Sequence, residues 1–250
     1  MPTLIEKRSI QENVQLAQQL DLNFVELNLD LPYCSLIPSN FPSKLTDNIT
    51  FSVHLPENWD VGSLDEDYRQ FILSQIEKKI KAGLTIADIK KYTLHLNLGV
   101  YFTLPTQKKY IYEEYLHAYS QAFNNSCHFL NELSQKYGVM ILFENLKLPK
   151  YLLHSVTTIS QYPYLFFTLD VGHDEKSQSN AYTLFSSHDK IKHIHLHDYD
   201  GKSDHLPLGD GNVDIKGKLL YAKQKDVDIV IEVKRETELR KSISYLASLH

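Results

Sequence analysis

The residues of this chain that could do chemistry are imidazoles and carboxylates, and most follow a short apolar run. His54 stands in VHLPEN, His95 in LHLNLG and Glu144 in LFENL. Asp170 and His173 stand in LDVGH, His195 and His197 in HIHLHD, Asp204 and His205 in SDHLPLGDGNVD, and Glu232 in VIEVK. An ionisable group at the end of a buried run is costly unless it is paired or metal-bound. Mixed imidazole and carboxylate donors suit Zn²⁺, Mn²⁺, Fe²⁺ or Co²⁺, whereas Mg²⁺ and Ca²⁺ favour all-oxygen shells. The pattern points to a divalent first-row metal. Taken singly, each residue has a structural reading: His54 or His95 as a hydrogen-bonded core histidine, Glu144 as a buried ion-pair partner. The set resists that reading, because six successive expected strands each end in a potential ligand.

Alternation sorts some of the remaining residues. His193, His195 and His197 share one strand face; His195 is the expected ligand, His193 lies deeper, and His197 is left unassigned. Trp59, in the loop after His54, is a candidate wall of the pocket, with plain packing as the competing reading. Lys147 and Lys202 are the cations placed to meet an anionic group, against a reading of both as solvated. His117, His128, His154, His188 and His250 fall in helix-like or terminal segments and carry no assigned role.

Such a set needs strand ends that converge. Strands are expected at 3–5, 23–29, 49–55, 92–98, 139–145, 164–171, 191–197 and 227–233. Between them, Tyr68, Phe71, Ile72, Ile76 and Ile80 recur at helical spacing in 65–82. Further helices are expected at 110–136, 151–161, 179–187, 214–225 and 236–249, with Asp65 and Ser179 as N-caps and Gly138 at a helix end. Repeated strand–helix units imply a parallel sheet. Eight units close a (β/α)₈ barrel, whose C-terminal strand ends meet in one pocket. The first strand is abbreviated, and without it an open doubly wound sheet is the alternative. No GxGxxG or Walker loop supports a nucleotide-binding open sheet.

Composition agrees with one domain over residues 1–250. The length is that of a single (β/α)₈ barrel, 42% of residues are apolar, and no Pro/Gly/Ser-rich linker divides the chain. Cys34 and Cys127, the two cysteines, lie far apart, which excludes a disulfide framework and a cysteine zinc site. With no apolar leader or membrane-length run, the expected location is the cytoplasm. A formal net charge of −5 disfavours broad nucleic-acid binding.

The ordered series HLP, LHLNLG, ENL, LDVGH, HIHLHD, DHLPLGDGNVD and IEV resembles the xylose isomerase-like barrel superfamily, from about Val25 to Lys234. That superfamily holds the sugar phosphate isomerase/epimerase group and endonuclease IV (AP endonuclease family 2). The resemblance implies that Glu144, Asp170, His195 and Glu232 form the shared metal quartet. It makes His173 a substrate contact, as in epimerases, or a further zinc ligand, as in endonuclease IV. His54, His95 and His205 match additional zinc ligands of the endonuclease. Ser203 falls where that enzyme has a metal-binding aspartate; Asp204 is adjacent. One or two metals per chain are therefore expected, the third site being weak or empty.

The implied function is a metal-dependent sugar or sugar-phosphate isomerase or epimerase. The metal would polarise a ketose-like substrate toward an enediolate, and Glu144 and Glu232 would exchange protons with carbon. His173, His205, Trp59 and Lys202 are the expected substrate contacts. The alternative is zinc-dependent phosphodiester hydrolysis at abasic sites in DNA. A barrel that binds metal without turnover is a third reading.

Overall fold

The computed structural model describes residues 1–41 and 48–249. In chain order it shows α1 (Ile10–Gln19), β1 (Phe24–Asn28), β2 (Thr50–His54), α2 (Glu66–Ala87) and β3 (Lys91–His95). A hairpin of β4 (Tyr101–Thr103) and β5 (Lys108–Tyr110) follows, then α3 (Ile111–Glu114) and α4 (Leu116–Tyr137). The remainder is β6 (Met140–Glu144), α5 (Leu153–Gln161), β7 (Leu165–Asp170), α6 (Val171–Ser177), α7 (Ala181–Ser187), β8 (Ile191–Leu196), α8 (Ile215–Lys225), β9 (Asp228–Ile231) and α9 (Glu236–Ala247). Seven strands form one parallel sheet in the order β1-β2-β3-β6-β7-β8-β9. It curls until β9 approaches β1, a nearly closed TIM barrel with helices outside. Among the described residues no helix is long and apolar enough to cross a membrane.

Several expectations need correction. Residues 3–5 do not form the eighth strand. The chain there makes a single parallel bridge, Pro2 to Glu26, with Thr3 N–H donating to Glu26 O at 2.8 Å. It is then drawn away: Leu4 N–H donates to the Asn13 side chain at 2.9 Å, and α1 starts behind its Ser9 cap. The helix expected at 110–136 is broken at Tyr115, and the bend stacks Tyr112 on Tyr119 with ring centroids 4.1 Å apart. Ser179 caps nothing. The first amides of α7, those of Ala181 and Tyr182, donate instead to the Asp174 carboxylate at 2.6 and 3.0 Å, while the Ser179 hydroxyl accepts from Leu148 N–H.

Elsewhere local chemistry and architecture agree. Asp65 caps α2 by accepting from Tyr68 N–H at 3.0 Å, and Ile72, Ile76 and Ile80 bury a stripe one turn apart. Gly138 ends α4 in the left-handed conformation, at φ 62°, which glycine adopts without a side-chain clash.

Alternation along the strands divides outside from inside. Val25, Leu27, Val53, Tyr92, Leu94, Phe143, Phe167 and Leu169 belong to the apolar core. Residues of opposite parity face the lumen: Ser52 donates to Glu26 at 2.9 Å, and Thr93 meets Thr168 across the barrel at 3.0 Å. One step further along lie His54, His95, Glu144, Asp170 and His195. Register aligns His95 with Glu144 and Asp170 with His195.

Candidate metal centre

The barrel brings the expected quartet together. Donor atoms of Glu144, Asp170, His195 and Glu232 all lie within 4.8 Å of one another. His195 stands between the two glutamates, its Nδ1 3.1 Å from Glu144 Oε1 and 3.1 Å from Glu232 Oε2. Asp170 ends β7 and caps α6, accepting from His173 N–H at 2.6 Å. Its carboxylate also meets His197 Nε2 at 3.0 Å. The Asn145 side chain locks this strand end, donating to Asp170 O and accepting from Asp170 N–H, both at 2.9 Å.

Two further groups flank the quartet. On one side His54 Nε2 lies 3.1 Å and His95 Nε2 3.7 Å from Glu144 Oε2, and His54 Nδ1 meets Leu55 O at 2.8 Å. On the other side are His173, His197, Asp204 and His205. His173 Nδ1 faces Asn145 O at 3.3 Å and His205 Nδ1 faces Glu232 O at 3.2 Å. Backbone carbonyls that take Nδ1–H leave Nε2 of each ring for a ligand, an arrangement common around bound metals. His197 differs: its Nε2 is held by Asp170, and its Nδ1 accepts from His205 N–H at 3.1 Å. It orients the others. His205 itself sits at φ 53°, in the left-handed region that only a few per cent of non-glycine residues adopt.

Asp204 takes the place expected to be weak. Its carboxylate lies 3.9 Å from His173 Nε2 and 3.4 Å from His197 Nδ1, and Lys176 reaches it at 2.7 Å. Ser203 is exposed, with its amide bound to Asp200. The turn around Asp200 thus points the neighbouring residue inward.

The charges are strongly coupled. Burial opposes ionisation of Glu144 and Glu232, but the field of His195 holds both carboxyls well below the usual carboxylate range. Burial disfavours protonation of His195, yet Glu144, Glu26 and Glu232 together raise it well above the ordinary histidine value. Burial likewise works against protonated His54, and the hydrogen bond to Glu144 overcomes it, raising His54 to about 9. Burial prevails at His95 and His205, which are lowered.

A cavity of about 440 Å³ opens over these groups; His54, His95, Glu144, His173, His205 and Glu232 all line it. Trp59 does not line it. It packs against the hydrophobic core while its carbonyl accepts from Asn97. Lys202, the other expected substrate contact, is exposed, its backbone N–H binds Asp200, and it does not line this cavity. Lys147 is exposed and donates to Tyr110 OH at 3.0 Å. The lysine that does line the cavity is Lys234, whose Nζ lies 2.8 Å from Glu232 Oε1. Sequence reasoning passed over it, and also over Glu26, a carboxylate buried in the lumen beneath His195. The signal for Glu26 was present: an acidic residue at the middle of FVELN.

A family model described as xylose isomerase-like TIM barrel matches residues 9–249. The chain belongs to that family. It is 25% identical over 223 residues to the uncharacterized protein MJ1614 of Methanocaldococcus jannaschii, covering 86% of this chain and 83% of that one. Among solved structures, a D-tagatose 3-epimerase-like protein superposes with a TM-score of 0.78 at 20% identity, over 99% of this chain and 95% of the other. The IOLI protein with a bound zinc atom gives 0.72 at 16% identity, over 98% and 92%. The TTHB071 protein of Thermus thermophilus, soaked with ZnCl₂, gives 0.66 at 22%, over 96% and 93%. At these identities the structural likeness shows the shared barrel fold.

Proposed function

We propose that the protein is an isomerase or epimerase of a sugar or sugar phosphate, dependent on a divalent metal held by Glu144, Asp170, His195 and Glu232. The observation that carries this reading is the placement of Glu144 and Glu232. They enter one cavity from β6 and from the end of β9, with two strands between them, and share His195 through one oxygen each. The donors fit a metal: His195 Nδ1 and Glu232 Oε2 are buried without an aligned hydrogen-bond partner. Polar atoms left so cost stability unless a ligand satisfies them. A divalent ion bound there supplies Lewis acidity to a substrate carbonyl.

The protein's own groups would do the rest. Each glutamate keeps a second oxygen off the shared contact: Glu144 Oε2 faces His54 and His95, and Glu232 Oε1 faces Lys234. Those oxygens are the proposed acid and base, exchanging protons with substrate carbon from opposite walls. His173 and His205, on the same cavity, are the proposed hydroxyl contacts. The cavity volume lies within the range of small-molecule sites. The sugar epimerases among the structural neighbours support this choice of substrate class.

The test is solvent exchange. Metal-loaded protein in D₂O should wash deuterium into a ketose or ketose phosphate, and Glu232→Gln with matched metal content should not. Absence of exchange across a broad sugar panel removes the reading. A second reading, phosphodiester hydrolysis on DNA, is favoured by one observation: His54, His95, His173, Asp204 and His205 put more imidazole and carboxylate groups around the quartet than one ion uses. It predicts cleavage of abasic duplex DNA by the same preparation, with affinity falling steeply as salt rises.

A further inference from the structure

Beneath the quartet lies a second constellation. Glu26 projects from β1 into the lumen and is 3% exposed. Its Oε1 lies 2.8 Å from His195 Nε2. Its Oε2 lies 3.0 Å from His193 Nε2 and accepts from the Ser52 hydroxyl at 2.9 Å. His193 and His195 alternate on β8 and point the same way, so one carboxylate spans both rings.

Strand pairing alone does not call for an acid here. A carboxylate enclosed in a barrel is expensive, and an apolar side chain at this position would fill the lumen at less cost. Its geometry is specific in one respect. His195 has two nitrogens, and they face different partners: Nδ1 the quartet, Nε2 Glu26. A neutral imidazole has one N–H and one lone pair, and the group opposite one nitrogen decides what the other presents. The Nε2 contact is short but not aligned as a standard hydrogen bond, so it acts mainly as a charge contact in this structure.

We propose that Glu26 is a positioning residue for the metal centre: it draws the His195 proton to Nε2, fixes the ring, and leaves the Nδ1 lone pair aimed into the quartet, with His193 and Ser52 holding Glu26 itself. This rests on the reading of the quartet as a metal site. A carboxylate behind a metal-bound histidine changes affinity by about 10- to 100-fold when removed.

The test is titration of the metal-stripped full chain with Co²⁺, followed by visible absorption and by proton NMR of the loaded protein. Wild type should bind tightly and show a hyperfine-shifted, slowly exchanging imidazole N–H from His195 Nε2. Glu26→Gln, which keeps the shape and loses the charge, should bind about tenfold more weakly with unchanged far-ultraviolet circular dichroism, and that N–H should exchange faster. If Glu26→Gln does not fold, Ser52→Ala and His193→Gln carry the test, each with several-fold weaker binding. His195→Ala is the control for the metal site. Full-strength binding by the Glu26, Ser52 and His193 variants, with binding lost in His195→Ala, overturns the role of Glu26 and leaves the metal site standing. Equal binding by wild type and His195→Ala overturns both.

Discussion

Stability of the metal-free protein should fall as pH rises from about 6.5 to 9, and metal should lessen that fall. His54 carries the magnitude. Its Nε2 faces Glu144 and its Nδ1 faces Leu55 O, so both nitrogens meet acceptors and the imidazolium satisfies both. Burial works against the charge, the Glu144 hydrogen bond and field outweigh it, and the value moves from 6.5 to about 9. A raised folded-state value means stability that is complete below the unfolded value and lost as pH climbs through the folded one. Between the two, the native state holds a proton that the unfolded chain does not, giving a slope of about −1.4 kcal/mol per pH unit. Across that window His54 contributes roughly 3 kcal/mol. His195, raised for the same kind of reason by Glu144, Glu26 and Glu232, steepens the fall. A metal at the quartet would displace the His195 proton and compete with His54 for Glu144, so the loaded protein should fall less steeply over the same window. Urea unfolding at about pH 6, 7.5 and 9, with chelator and with Zn²⁺, measures both curves. Metal-free stability that is level or rising across that window refutes the reasoning.

Three further outcomes follow from the same geometry. Asp204→Asn should lower bound metal by one site, or weaken that site about tenfold or more, while the quartet stays filled; Ser203→Ala should leave metal content unchanged, and elemental analysis after dialysis reads both. Gly172→Ala places a methyl against the His197 ring, so it should destabilise by about 1–3 kcal/mol in thermal melts and displace the Asp170 carboxylate that this ring holds. Tyr112→Phe strips the phenol from Asp60, a half-buried carboxyl raised by desolvation, and should cost about 1–3 kcal/mol with metal content unaltered.

The sheet was legible because its strands are bounded by what parallel barrels require. Runs such as VMILFEN and YLFFTLDV are apolar on the helix-facing parity, and each is observed within a residue or two of its expected span. LHLNL overran, since the strand stops at His95 and the following residues enter the loop that leads to the hairpin. That hairpin was missed because Tyr101, Phe102 and Thr103 make too short a run to stand out, and its turn holds by one pairing, Leu104 N–H to Gln107 O at 2.8 Å. Residues 3–5 failed for the opposite reason: the apolar pattern was present, but a competing acceptor, the Asn13 side chain, claims Leu4.

The site was legible at strand ends and obscure one layer below. Reading each strand as a buried run explains why a terminal His or Glu draws notice, but it treats the interior as uniform. The interior is not uniform. Residues of one parity meet helices and are apolar; residues of the other meet across the lumen, where Glu26, Ser52, Thr93, Thr168 and His193 are all buried and hydrogen-bonded. A polar residue at the centre of an otherwise apolar strand therefore marks the lumen as surely as one at its end marks the cavity. On that rule FVELN, TFSVH, KYTLH and LFFTLD each reveal their inner face through one central residue. Loop residues escape it. Whether Ser203 or Asp204 turns inward depends on the turn set by Asp200, and whether Lys202 or Lys234 reaches the cavity depends on which loop lies over it, neither of which periodicity encodes.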